Sequence, residues 1–305
     1  MKKNSFSLFL LLFYITFSST QAAPAPQKKH SKANALVNLA SVSAIVADLK
    51  TGSVLFSKNP QLVMPIASLT KLMTAMVVLD AKLSLKEKIR FAQQDKKSIN
   101  NYYSRIRINS ELSRADTLRI ALMSSENLAA ASLARTYPGG KKAFIKAMNA
   151  KARALGMRHS HFINATGLSE KNVSTTADLV KMVAAAAKYP LIKKYTTTQT
   201  YTARFKKPRY VLGYTNTNVL VRAGHKDVKL SKTGYLDEAG RCLIMVRRIA
   251  GKDVVMVMLD SFGKRSPIGD ANRIKKWLQT GQKGRVARSA SRYERTKLAY
   301  YVKQH

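Results

Sequence analysis

Residues 65–75 read Pro65-Ile66-Ala67-Ser68-Leu69-Thr70-Lys71-Leu72-Met73-Thr74-Ala75. Leu69, Leu72, Met73, Met76, Val77 and Leu79 recur at helical spacing, which predicts a helix from about Ser68 to Leu83. Residues three apart share a helix face, so the Ser68 hydroxyl falls beside the Lys71 amine. A hydroxyl is a poor nucleophile near neutral pH and needs a base within hydrogen-bond reach. A helix start also offers free N–H groups where an oxyanion would form. The pair therefore reads as nucleophile and base. Alone it proves little in so lysine-rich a chain, because Ser261-Phe262-Gly263-Lys264 has the same spacing. That copy contains Gly263 and is soon followed by Pro267, so it does not open a strong helix.

Outward from this helix, Ser43–Asp48 and Ser53–Ser57 read as strands joined by a turn at Thr51-Gly52. Arg105–Ile108 alternates like a short strand. Thr117–Met123, Leu128–Ala134, Lys141–Leu155 and Thr176–Lys188 read as helices, with stops at Gly156 and Pro190. Val228–Thr233, Cys242–Arg248 and Val254–Leu259 are apolar, β-branched runs between Gly-containing turns, and Asp270–Leu278 closes as a helix. Strands at both ends and helices between them predict an α+β fold. One mostly antiparallel sheet would be built from both chain ends, with flanking helices and a central helical region.

Lys2 and Lys3, the apolar run Phe6–Phe17 and the small residues to Ala23 match a cleaved secretory signal peptide over residues 1–22. Residues 23–36, rich in Ala, Pro, Gln, Lys and Ser, read as a flexible linker. The folded domain is expected over 37–281 and a disordered basic tail over 282–305. Within the tail, Leu298–Val302 is apolar enough to leave a membrane-surface helix as an alternative. The net charge is +38, which predicts attraction to polyanions. Export to a periplasm-like compartment directs that attraction to anionic envelope polymers and membrane surfaces and away from nucleic acid. Cys242 is the one cysteine, so no internal disulfide forms and stability comes from packing.

Two further elements follow Ser68 and Lys71. Ser125-Glu126-Asn127 falls in a turn between two helices, and Lys232-Thr233-Gly234 ends a strand. Ser125 and Asn127 would by themselves pass for helix caps. Ser-x-x-Lys, Ser-x-Asn and Lys-Thr-Gly, in that order, mark penicillin-binding proteins and class A β-lactamases. Together with Leu122–Asn127, Tyr137-Pro138-Gly139-Gly140, Thr215–Asn218 and Lys232–Tyr235, the motifs resemble the low-molecular-weight penicillin-binding proteins. Within that D-Ala-D-Ala serine peptidase family they look most like its endopeptidases.

The resemblance implies a β-lactamase/DD-peptidase-like fold and an enzyme that binds peptidoglycan stem peptides and β-lactam inhibitors, with no metal or cofactor. It implies that Ser68 becomes an acyl-ester after Lys71 takes its proton. Lys71 would be kept neutral by desolvation and by the Lys232 charge. Ser125 would relay a proton to the leaving amine, and Asn127 would hold the substrate backbone. Lys232 and Thr233 would bind substrate carboxylate, and Gly234 would leave room for close approach. The N–H groups of Ser68 and Tyr235 would form the oxyanion hole.

The reaction implied is endopeptidase cleavage of cross-links, with D-Ala-D-Ala carboxypeptidase as the alternative. A β-lactamase and a non-catalytic basic wall-binding protein are more distant rivals. Residues 159–169 contain no acidic side chain to activate a deacylating water, so a penicilloyl group should leave slowly. The short stretch after the last helix leaves no room for the second β domain of larger carboxypeptidases. His159 with His161 lacks the company of a metal site. Cys242, in an apolar strand pattern, reads as an inert thiol, and Gly139-Gly140 reads as a turn.

Overall fold

The computed structural model describes Met1, residues 37–100 and residues 102–303. The signal peptide and linker expectations lie outside the described residues. In chain order, β1 (Ser41–Asp48) and β2 (Val54–Lys58) form a hairpin. Then β3 (Met64–Pro65) leads through a 3-10 turn (Ala67–Leu69) into α1 (Thr70–Asp80). β4 (Lys88–Arg90), α2 (Gln93–Ser98) and β5 (Glu111–Ser113) precede α3 (Arg114–Met123), α4 (Asn127–Arg135) and α5 (Gly140–Ala154). Next come β6 (Val173–Ser174), α6 (Thr176–Ala186), α7 (Pro190–Thr196), the hairpin β7 (Thr200–Phe205) and β8 (Tyr210–Thr215), and the short α8 (Val219–Arg222). The chain ends with β9 (Val228–Leu236), β10 (Gly240–Ile249), β11 (Lys252–Ser261), α9 (Ser266–Thr280) and α10 (Arg288–Val302).

The main sheet has the order β2-β1-β11-β10-β9 and is antiparallel throughout. Successive side chains on a strand point to opposite faces, and here both faces are buried. Val42, Ile45, Ile244, Val246, Val255 and Val257 enter one core with the central helices. Ala44, Val46, Met245, Met256 and Met258 enter a second core with Ile274 and Trp277 of α9. The result is helix, sheet, helix, as the α+β reading expects. Ala250 and Gly251, with φ of 46° and 78°, join β10 to β11. A two-residue connection with both φ positive matches strand twist.

Three local expectations change. The predicted Ser68 helix starts as the 3-10 turn and ends at Asp80, with Lys82 at φ 50°. Arg105–Ile108 is not a strand. Its arginines are engaged through their side chains, Arg105 with the Gly213 carbonyl at 2.6 Å and Arg107 over the Tyr210 ring at 4.8 Å. The nearby two-stranded ladder is made by β4 and β5. Pro190 opens α7 as well as following α6, because a missing N–H costs nothing in a first helical turn.

The segment expected as a disordered tail contains α10. Its Tyr293 hydroxyl donates to Asp260 at 2.6 Å, and Tyr301 lies 2.9 Å from the same carboxylate. Asp260 is fully buried at the end of β11. Two phenols therefore satisfy a carboxylate that burial would otherwise penalise. Tyr293→Phe and Tyr301→Phe should each cost about 1–2 kcal/mol in urea unfolding. The double variant should also become sensitive to protease between α9 and α10, which limited digestion would detect.

Candidate active site

Ser68 lies in the 3-10 turn, directly after Ala67, whose φ is 45°. Two glycines let other segments of the chain pack closely against this turn. A Cβ on Gly167 would lie 2.0 Å from the Ala67 carbonyl oxygen. A Cβ on Gly234 of β9 would lie 3.2 Å from the Ser68 nitrogen and from the Ile66 oxygen. Gly234 thus leaves room for close approach, though to the Ser68 turn itself. Gly167 was not among the sequence candidates.

The Lys71 side chain emerges from the first turn of α1 and is 1% exposed. Its Nζ is 2.8 Å from Ser68 Oγ, 2.7 Å from Asn127 Oδ1 and 2.6 Å from the Thr166 carbonyl oxygen. The last two atoms can only accept, so they take two N–H bonds. The third contact fits either protonation state: an ammonium donates to Ser68, while an amine accepts the Ser68 proton. Desolvation, and next the charge of Lys232, hold Lys71 well below the ordinary lysine value, against an opposing pull from Glu126. The arrangement therefore favours the amine and places its lone pair at the hydroxyl.

The other predicted residues converge on the same point. Lys232 on β9 is 1% exposed, and burial pushes its amine down to about 7. It donates to Ser125 Oγ at 2.9 Å and to the Thr233 carbonyl at 2.8 Å. Ser125 sits between α3 and α4 with φ at 61°, a backbone state that costs a non-glycine residue about 1–3 kcal/mol. Thr233 Oγ1 donates to Thr217 Oγ1 at 2.6 Å. Tyr235 is half exposed at the mouth, with the Arg241 guanidinium 3.7 Å above its ring. A cleft of about 610 Å³ holds Ser68, Ser125, Asn127, Thr233, Gly234 and Tyr235.

Sequence reasoning missed the residues that act through backbone. Thr166 supplies a carbonyl, and its loop is shaped by Asn164, whose Oδ1 accepts from the N–H groups of Thr166 and Gly167 at 3.1 and 2.7 Å. Asn172 ties that loop to α1, donating to Thr70 Oγ1 at 3.1 Å. The available signal was the Asn-x-x-Gly turn chemistry of 164–167, which carries no catalytic signature. Arg241, Lys264 and Arg265 at the cleft wall were also missed as site residues.

The remaining candidates lie elsewhere. Ser261 is buried, with its hydroxyl 2.7 Å from that of Ser41. His159 and His161 contribute backbone N–H groups, bonded to Asp178 Oδ2 and to the Val173 carbonyl. Cys242 is buried in β10, and desolvation pushes its thiol up to about 12. Among the described residues, no cluster of three metal-binding side chains occurs.

Known proteins place this geometry in context. Over 293 residues the chain is 46% identical to a D-alanyl-D-alanine endopeptidase of Pseudomonas aeruginosa, covering 96% of this chain and 94% of that one. It is 50% identical to the D-alanyl-D-alanine endopeptidase of Escherichia coli K12, covering 86% of this chain and 84% of that one. The crystal structure of the Streptomyces K15 DD-transpeptidase superposes with a TM-score of 0.74 at 27% identity, covering 79% of this chain and 97% of that one. Residues 27–263 match the family described as D-alanyl-D-alanine carboxypeptidase, and the chain belongs to that family of serine peptidases.

Proposed function

We propose that the chain is a penicillin-sensitive serine DD-peptidase that hydrolyses D-alanyl cross-links between peptidoglycan stem peptides. The observation that carries this reading is the buried Lys71 nitrogen, 2.8 Å from Ser68 Oγ with its other contacts made to pure acceptors. In the first half-reaction the Ser68 proton passes to Lys71 as Oγ attacks the D-alanyl carbonyl. The resulting oxyanion would rest on the N–H groups of Ser68 and Tyr235. That assignment is supported by the contact of the Gly234 backbone with the Ser68 turn. The C–N bond then breaks, and the leaving amine takes, by way of Ser125, the proton that Lys71 had accepted, which returns Lys71 to its neutral form. Water completes the cycle by cleaving the acyl-ester, releasing acid and free Ser68.

Asn127 gives its oxygen to Lys71, which leaves its amide N–H groups for a substrate carbonyl. Thr233 lines the cleft where a carboxylate would sit, and Lys232 stands behind it, donating to Ser125 Oγ. The endopeptidase preference is supported by the names of the two relatives above. Carboxypeptidase activity is the second reading, supported by the family description. The β-lactamase rival is disfavoured by the loop behind Ser68. It presents the Thr166 carbonyl to Lys71, and its nearest following acid, Glu170, is exposed. We place the enzyme in the periplasm, delivered by the signal sequence read over residues 1–22.

A fluorescent penicillin should label the wild type and Ser261→Ala but not Ser68→Ala, read on a denaturing gel. Label retained by Ser68→Ala would refute the mechanism. The acylation rate should rise with pH as Lys71 loses its proton, then fall above about 7 as Lys232 loses its own. Stopped-flow labelling across pH would show this bell. Purified muropeptides should show loss of cross-linked dimers; loss of pentapeptide monomers alone would favour the carboxypeptidase reading.

A further inference from the structure

Side chains alternate across a strand, and directly opposed residues of an antiparallel pair share a face. On β9, Lys232 and Gly234 turn toward Ser125 and the Ser68 turn. Thr233 and Tyr235 therefore turn the other way, and Arg241 of β10 stands directly opposite Tyr235. The guanidinium carbon of Arg241 lies 3.7 Å from the centroid of the Tyr235 ring. At that distance the group must lie along the ring face, because a guanidinium standing on edge would drive a nitrogen into the ring. The Tyr235 hydroxyl donates to Asp237 Oδ1 at 2.5 Å, which fixes the ring at its far end. A stacked guanidinium keeps its edge N–H groups in a planar fork that fits a carboxylate. Among the described residues, no carboxylate lies within ion-pair distance of Arg241 and no acceptor takes its side-chain N–H groups. Lys264 and Arg265, both exposed and just before α9, line the same cleft. Arg222 lines it too, but is taken by the Asn216 carbonyl at 2.7 Å. Among the described residues, no Asp or Glu lines the cleft.

The two readings of the reaction differ in the group that leaves. Trimming a stem peptide releases one amino acid, with a single carboxylate beside the leaving amine. Cutting a cross-link releases a whole second stem, which carries further carboxylates along its length. Thr233 lines the cleft where the first carboxylate would sit. Tyr235 and Arg241 stand one step farther along the same face of the sheet. We propose that Arg241, held flat on Tyr235, binds a second carboxylate, on the stem that leaves, and so biases the site toward cross-links over pentapeptide ends. Lys264 and Arg265 add positive charge on the same wall, and the Tyr235 platform supplies the orientation. The inference rests on the endopeptidase reading and names the residue that selects its leaving group.

The test compares two synthetic cross-linked dimers. One has free carboxylates on the leaving stem; the other has amides in place of those away from the scissile bond. The wild type should cleave the amidated dimer with kcat/KM about tenfold lower, the scale of a lost hydrogen bond between charged groups, with most of the change in KM. Arg241→Gln should show the low value on both dimers. Its ratio of kcat/KM on the free-acid dimer to that on pentapeptide monomer should fall by a similar factor. Arg241→Lys restores the charge without the planar fork, so it should recover only part of the difference.

Equal cleavage of the two dimers by the wild type would overturn the inference, and that comparison serves even if the variants fail to fold. So would an Arg241→Gln enzyme that still separates the two dimers as the wild type does. Fluorescent penicillin reports separately on Ser68. A wild type that is labelled and trims pentapeptide but leaves both dimers uncut would defeat the endopeptidase reading, and the inference with it. A wild type that penicillin does not label would defeat the peptidase reading itself.

Discussion

One buried nitrogen organises the site. Lys71 Nζ is reached by three stretches of chain: its own helix through Ser68, the α3–α4 turn through Asn127, and the loop behind α1 through Thr166. Hiding an ammonium from water is expensive. The molecule responds by favouring the neutral amine, which is the state a base must have. The energetic penalty and the catalytic requirement thus point in the same direction. Two carbonyl-type acceptors fix the direction of the remaining N–H bonds, so the lone pair has one place to go.

The same segments carry unusual backbone. Ala67 and Ser125 both have positive φ, and both precede or belong to the site. Such states persist only where the surroundings over-determine them. For Ala67 those surroundings are Gly167 and Gly234, packed so near that neither position admits a Cβ without displacement. Ser68 is held by close backbone packing as much as by its own hydrogen bonds.

This explains which parts were legible in the sequence. Ser68, Lys71, Ser125 and Lys232 were legible because the proposed reaction would need those side chains at helical or strand-end spacing. Thr166 and Gly167 contribute a carbonyl and a missing Cβ, properties that no side-chain pattern advertises. The sheet strands were legible from their apolar runs, since both faces are buried. Arg105–Ile108 misled because alternation says nothing about whether a ladder partner exists; its arginines found aromatic rings and carbonyls instead. The C-terminal segment misled because its charge dominated the reading. What folds it is a pair of phenols meeting Asp260, a partner far away in sequence.

The sheet order has a temporal consequence. β1, the first strand of the domain, lies between β2 and β11, and β11 lies between β1 and β10. A chain emerging N-terminus first can close the β1–β2 hairpin but must wait for β11 before β1 gains its other neighbour. Pairings of such large sequence separation form late and slowly. Lys232 and Gly234 arrive on β9, just ahead of that closing strand. Ser68 and Lys71 are thus made early, but they are assembled with Lys232 only near the end of synthesis. A partly made chain would carry Ser68 and Lys71 without the strand that brings Lys232 to them.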